Sequence, residues 1–341
     1  MTIATRTHAR FKRPAILLAV AAAAGCGEKG VGYGDPNSIV AVMSAERWDE
    51  VADDVYEAFE KTITTVRDEK TFTVTYQEPY DEHWMNLRRF RQMLVVGTRS
   101  DEWVQEVLGE ARTPVDRDGL HQIHDVWARG QTVTLVLLPD GWSADALRPR
   151  LAEAHEVLDG QYREYAVNRM YFSGADSALA DTLATEHGFS LLLPQVYRWS
   201  HDDSVFVFRN DNPDPSELIR EVVVTWLSPS APSLSAEQVL AWRSRLVASH
   251  YSEPQDVVLE GMQRDTVDVG GRTAYQVQSQ WRNPPDRGWP AGGPFVTRVV
   301  TCDGQDRTYL VDAWLYAPGK EKYEYMIQLG TILDSFRCGR S

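Results

Sequence analysis

Residues 265–281, DTVDVGGRTAYQVQSQW, and residues 295–316, FVTRVVTCDGQDRTYLVDAWLY, decide the reading of the fold. Each is a pair of β-rich runs around a turn dipeptide, Gly270-Gly271 in the first and Asp303-Gly304 in the second. Such dipeptides accept the positive φ that tight hairpin turns require. The spacing therefore predicts strands at Asp265–Val269, Arg272–Trp281, Phe295–Cys302 and Arg307–Tyr316, joined as two hairpins of an antiparallel sheet.

Working outward, Ile219–Leu227 reads as a further strand. Ser235-Ala-Glu-Gln238 is a capping box, with Leu234 and Val239 placed as its hydrophobic staple, so a helix should run from there to about His250. Upstream, a helix from Asp176 should stop at Gly188, and strands are expected at Phe189–Tyr197 and Val205–Phe208. Downstream, Tyr323, Met326, Leu333 and Phe336 share the broad apolar face of a terminal helix. The second half reads as an antiparallel sheet with flanking helices.

The first half alternates between the two periods. Ser38–Met43 is a short buried-strand pattern, and Trp48, Val51, Val55 and Phe59 follow at helical spacing behind Ser44 as N-cap. Strands are expected at Thr71–Tyr76, Met93–Gly97 and Thr132–Leu138. Helices are expected at Trp103–Leu108 and from about Ala144 to Phe172, with Pro149 tolerable only near the start of the latter. The fold class is α+β, in two domains spanning 38–173 and 174–341.

Residues 1–14 carry Arg6, Arg10, Lys12 and Arg13 without an acid, and Ala15–Ala24 is an uninterrupted apolar run too short to span a bilayer. This is the order of a secretory signal, ending at residue 25. Residues 26–37 have the Gly-rich, aperiodic composition of a flexible tether. Removing 1–25 takes four of the 35 basic residues and no acid, leaving 31 against 49, a net charge of −18. A body this acidic repels phosphate backbones, which excludes nucleic acid as a partner class.

The sequence Ala23-Ala-Gly-Cys26 resembles the lipobox of bacterial lipoproteins, with Ala23 where that family usually has Leu. The resemblance implies that Cys26 carries lipid and tethers the chain to a membrane. Gly27, in place of Asp, is similar to the sorting signal for the outer membrane, which implies a periplasm-facing location. With Cys26 assigned to lipid, Cys302 and Cys338 remain as one pair for a disulfide in an oxidising compartment. Two unrelated buried thiols are the alternative.

The order of strands, capped helix, meander and terminal helix over 188–338 resembles the PsbP-like α-β-α sandwich of extrinsic photosystem proteins and bacterial lipoproteins, with Pro194 following its opening strand. Across nearly all of the chain after the signal, Trp127-Ala-Arg-Gly-Gln131, Gly292-Gly-Pro-Phe-Val296 and Tyr316-Ala-Pro-Gly-Lys320 look like an uncharacterised envelope lipoprotein family, a domain of unknown function. That resemblance implies an address and no activity or cofactor.

Candidate sites are few. Residues 281–295 (WRNPPDRGWPAGGPF) form a Pro/Gly-shaped loop in which Arg287 and Trp289 are residue types favoured in binding hot spots, accompanied by Gly292, Gly293 and Phe295. A recognition loop and a structural lid both fit it. His121 and His124 lie three apart on an extended segment and face opposite ways, so they do not share a metal ion. Asp116 and Asp118 before Gly119 are accounted for by turn chemistry. Tyr76, Tyr80 and Trp84 are expected to pack between the domains. No nucleophile elbow, metal helix, P-loop or CxxC pair is present in the sequence. The chain reads as a non-enzymatic, cofactor-free and metal-free envelope module that binds a protein or small envelope component. An envelope hydrolase using separated carboxylates and a structural envelope component are the alternatives.

Overall fold

The computed structural model describes residues 29–63, 65–211, 217–231, 233–287 and 290–339. The signal, Cys26 and Trp289 lie outside the described residues.

The first half is built on β1 (Ser38–Val42), α1 (Ala45–Phe59), a small hairpin of β2 (Thr62–Ile63) and β3 (Glu69–Lys70), then β4 (Thr73–Gln77), α2 (Trp84–Leu87), β5 (Gln92–Gly97), α3 (Glu102–Gly109), β6 (Gly119–His124), β7 (Thr132–Leu137) and α4 (Ala144–Met170). The sheet order is β4-β1-β5-β7-β6, in which only β6 runs antiparallel to its neighbour. Strands buried on both faces read as continuous apolar runs, and β1, β5 and β7 do so. Alternate residues serve different layers. Ile39, Ala41, Leu94 and Val96 meet α1 and α4, while Val40, Val42, Met93 and Val95 meet Trp84 and the α3 residues Val104 and Val107.

Residues 29–37 do not behave as the free tether expected of them. The Gly32 amide donates to the Arg129 carbonyl at 2.8 Å, the Arg91 amide to the Tyr33 carbonyl at 2.7 Å, and Lys29 pairs with Glu110 at 2.8 Å. Tyr33 packs edge-on against Phe90. Backbone hydrogen bonds dock this segment near the amino-terminal ends of β5 and β7, a contact that composition alone does not report.

After Gly174 the chain enters α5 (Ser177–Thr182), whose N-cap Asp176 accepts the Leu179 amide at 2.9 Å, and a single π-helical turn that ends at Gly188 with φ 81°. Then come β8 (Phe189–Ser190), β9 (Arg198–Asp202), β10 (Val205–Asn210), β11 (Ile219–Leu227), α6 (Ala236–His250), β12 (Asp256–Val269), β13 (Arg272–Arg282), β14 (Gly292–Cys302), β15 (Arg307–Tyr316), α7 (Tyr323–Asp334) and β16 (Arg337–Cys338). Seven strands form one antiparallel sheet in the order β12-β13-β14-β15-β11-β10-β9. The capping box of α6 is formed, and α6 covers one face; α7 and the segment 179–193 cover the other. The class is α+β, with an antiparallel second sheet between helices.

Three local features depart from the sequence pattern. The strand expected over Phe189–Tyr197 ends at Ser190. Beyond it the backbone bonds to its surroundings instead of the main sheet: Asp176 donates to the Leu193 carbonyl at 2.8 Å and Leu192 to the Ser335 hydroxyl at 2.9 Å. Pro194 has no amide to extend a ladder. The edge strand β9 carries no apolar alternation, because all five of its residues are exposed. The turn at Asp303 is also longer than two residues: Asp303–Gln305 form a 3-10 turn and Asp306 takes the left-handed conformation at φ 50°.

Cys302, in the core, is joined by a disulfide to Cys338, with their Cα atoms 5.9 Å apart. Cys338 lies on β16, which pairs with β8. The bridge thus ties the end of α7 to the sheet it covers.

Candidate functional site

Helix α7 belongs to both halves. Leu329, Ile332 and Leu333 enter the core of the second sheet, whereas Tyr323 and Ile327 enter the core beneath α1 and α4. Polar contacts pin the same junction. Lys322 pairs with Glu69 at 2.6 Å, Glu324 with Arg169 at 3.0 Å, and Asn37 donates to Glu321 at 3.1 Å. From the other side the small hairpin reaches over, and the Thr65 carbonyl accepts from Gln280 at 2.7 Å.

Between these contacts lies a cleft of about 430 Å³, within the range usual for small-molecule sites, which favour such junctions. Ile63 and Thr65 wall it from the hairpin, Arg163 and Val167 from α4, Gln276, Gln278, Val296 and Arg298 from β13 and β14, and α7 supplies Tyr323, Met326, Gly330 and Asp334. A Cβ placed on Gly330 would meet nothing within 4 Å. Glycine inside a helix costs stability relative to alanine, and here it borders the cleft with open space where a side chain would start.

The charged groups are ordered. Arg163 donates through Nε to Asp159 at 2.7 Å and through Nη2 to the Tyr323 hydroxyl at 3.2 Å, and Tyr323 itself donates to Asp159. Burial pushes the Asp159 carboxyl up, but hydrogen bonds from Tyr323 and Arg163 outweigh it and hold the group below its ordinary value. Burial, then the bond to Asp159, push the Tyr323 phenol up. Arg298, 7% exposed, donates to Gln276 at 2.8 Å and to Asp334 at 2.5 Å. Among the described residues no protein group engages Nη1 of Arg163, Nη2 of Arg298 or the side-chain amide of Gln278.

A second crevice of about 340 Å³ lies at the carboxyl ends of β1, β5 and β7, where α/β sheets commonly bind ligands. Its polar groups are already committed to one another. Asp101 accepts from the Thr98 amide at 2.7 Å, Ser100 bonds Thr98 and Asp140, and Arg47 lies 4.7 Å above the Trp142 ring. The junction cleft, with uncommitted donors, is the stronger candidate.

The residues singled out from the sequence are distributed otherwise. Phe295 is fully buried with the Arg243 guanidinium 3.9 Å from its ring centre. Gly292 and Gly293 are β14 residues held against backbone; a side chain on Gly293 would collide with the Leu315 carbonyl. Phe295 and Gly293 are packed within the sheet, whereas Gly292 lines, with Trp281, Pro284, Pro285 and Pro290, a crevice of about 710 Å³ beside the loop. Arg287 is exposed beside Asp286. His121 faces the Arg117 carbonyl at 2.9 Å and His124 faces Thr132 at 3.3 Å; among the described residues no group of three or more metal-ligating side chains assembles. Tyr76, Tyr80 and Trp84 do not meet between the halves. Tyr76 stacks on Trp48, while Trp84 packs against Tyr80 and Trp127 on the opposite face of the first sheet.

Of the cleft residues, Tyr323 is marked by the sequence only as part of the apolar face of α7, and Arg163, Arg298 and Gly330 carry no local site motif. Up to 167 positions separate them, and the one sequence signal is the isolated glycine inside a helical pattern.

Residues 32–170 match the model of a domain of unknown function, DUF8532, and residues 176–335 match that of another, DUF4837. The single family expected across the chain is thus replaced by two, which meet between 170 and 176 where α4 gives way to α5. No curated protein matches the chain. Among solved structures, the Ran-binding protein Mog1p of Saccharomyces cerevisiae is similar at 14% identity, over 46% of this chain and 93% of its own, with a TM-score of 0.31. LpqN of Mycobacterium tuberculosis, described as involved in cell envelope biogenesis, is similar at 10% identity, over 46% of this chain and 87% of its own, with a TM-score of 0.29.

Proposed function

We propose that this chain is a lipid-anchored binding protein of the bacterial envelope, made of two modules that together seat a small ligand in the cleft under α7. The observation that carries the reading is the cleft itself: both halves wall it, its guanidinium and amide donors lack protein partners among the described residues, and Gly330 lines it without a side chain. The anchor rests on the resemblance of Ala23-Ala-Gly-Cys26 to a lipobox, and Gly27 favours the outer membrane. The PsbP-like description of the second module rests on its element order. The cleft's carboxylates do not form the facing pair of a hydrolase, because Asp334 is bound to Arg298 and Asp159 to Arg163 and Tyr323.

Titration with the uncharged fluorophore N-phenyl-1-naphthylamine tests the cleft. One saturable site per chain is expected, lost in Gly330→Trp, whose indole fills the space. Absence of a saturable site, or a site indifferent to Gly330→Trp, refutes the reading. In cells, Cys26→Ser should move the chain from the membrane to the soluble fraction.

A further inference from the structure

A buried guanidinium is stable when its charge is matched and its donors are satisfied. Arg298 has one carboxylate partner, itself exposed, and one nitrogen that no protein group takes among the described residues. It is 93% buried by its 7% exposure; the partner is Asp334, whose side chain is 60% exposed, and the nitrogen is Nη2. Arg163 lines the same cleft with its Nη1 similarly unengaged, its other donors being held by Asp159 and Tyr323. Each arginine holds one carboxylate, Arg163 that of Asp159 and Arg298 that of Asp334, and each keeps one nitrogen that no protein group engages among the described residues. Next to these donors, Ile63, Val167, Val296, Met326 and Ile327 give the cleft an apolar wall.

From this juxtaposition we infer that the cleft binds an anionic amphiphile, whose carboxylate or phosphate head is taken by Arg298 with Arg163 and Gln278 as further donors, and whose hydrocarbon part lies on the apolar wall. The inference rests on the cleft being the ligand site. The unengaged Nη2 of Arg298 offers either oxyanion a charge-assisted donor. The acidic surface elsewhere repels such ligands, so the cleft is where they are held.

Calorimetric titration of the purified protein with dodecanoate, dodecyl phosphate and dodecyltrimethylammonium, each below its micellar concentration, tests this. At least one anion is expected to bind with one site per chain, about tenfold or more tighter than the cation, and the tighter anion identifies the head group. Arg298→Gln should weaken the anion about tenfold or more, the loss of one charge-assisted interaction. If Arg298→Gln does not fold, Arg163→Gln carries the same test, since that side chain is 54% exposed. Equal affinity for cation and anions, no binding of either anion, or anion binding unmoved by both arginine variants overturns the charge assignment. In those cases loss of dye binding in Gly330→Trp leaves the cleft reading standing, whereas dye binding that survives Gly330→Trp removes both.

Discussion

Gly330→Ala is the sharpest test of the cleft's geometry. Gly330 lies inside α7, whose helix spans Tyr323–Asp334, and a Cβ there would face open space with no heavy atom within 4 Å. Two terms then decide the sign. Glycine in a helix interior is about 0.8–1.0 kcal/mol less favourable than alanine, because the unfolded chain loses more backbone freedom. The added methyl meets no steric opposition, so no overpacking cost offsets that gain. A net stabilisation of roughly 1 kcal/mol follows, equivalent to a rise of about 2–4 °C in Tm for a domain of some 150–250 residues. Thermal denaturation and the urea midpoint would measure it, and N-phenyl-1-naphthylamine affinity measured on the same samples should fall, because the methyl projects into the cleft. Destabilisation on adding the methyl would refute the geometry, since the position would then be packed.

Two further outcomes probe the interior. Arg243 and Asp312 form an ion pair at 3.0 Å with both side chains fully buried, and Thr297 and Tyr251 also donate to Asp312; Asp312→Ala leaves the guanidinium unmatched and should cost about 3–5 kcal/mol. The double variant Arg243→Met/Asp312→Leu should cost less than that single one by urea denaturation, and a larger loss in the double would contradict the account. His155 packs against Phe59 and Phe72. Burial and the Lys61 ammonium hold its imidazole below the ordinary value, with Arg163 adding to this and Asp159 and Glu156 opposing it. Below about pH 6.5 the unfolded chain therefore binds a proton that the folded chain does not, so this contribution is full at neutral pH and is lost as the pH falls. The urea midpoint should drop between pH 7 and 5.5 more steeply in the wild type than in His155→Phe; identical slopes would refute it.

Elements whose signals are local were readable in the sequence. The Gly270-Gly271 hairpin, the Ser235–Gln238 capping box and the continuous apolar runs of β5 and β7 each depend on neighbours within a few positions. Where the local signal is absent or ambiguous, the tertiary structure departs from it. β9 exposes all five side chains and shows no period, and the alternate burial of Leu191 and Leu193 is that of a strand, although the backbone there bonds to residues 176 and 335. Phe295 looked like part of a presented loop because proline and glycine precede it, yet those glycines allow close approach to the Trp281 and Leu315 backbones.

By itself the amino-acid sequence determined the two sheets' principal strands, the α+β class, the acidic charge and the small set of cysteines available for a bridge. These follow from side-chain periodicity, turn chemistry and composition, which act over short stretches of chain. Only the tertiary structure decided that α7 would serve two cores at once and that Arg163, Arg298, Tyr323 and Gly330 would line one cleft. Periodicity says which face of an element is buried; it does not say which other face it meets. Contacts between residues more than a hundred positions apart are chosen by the packing of whole elements.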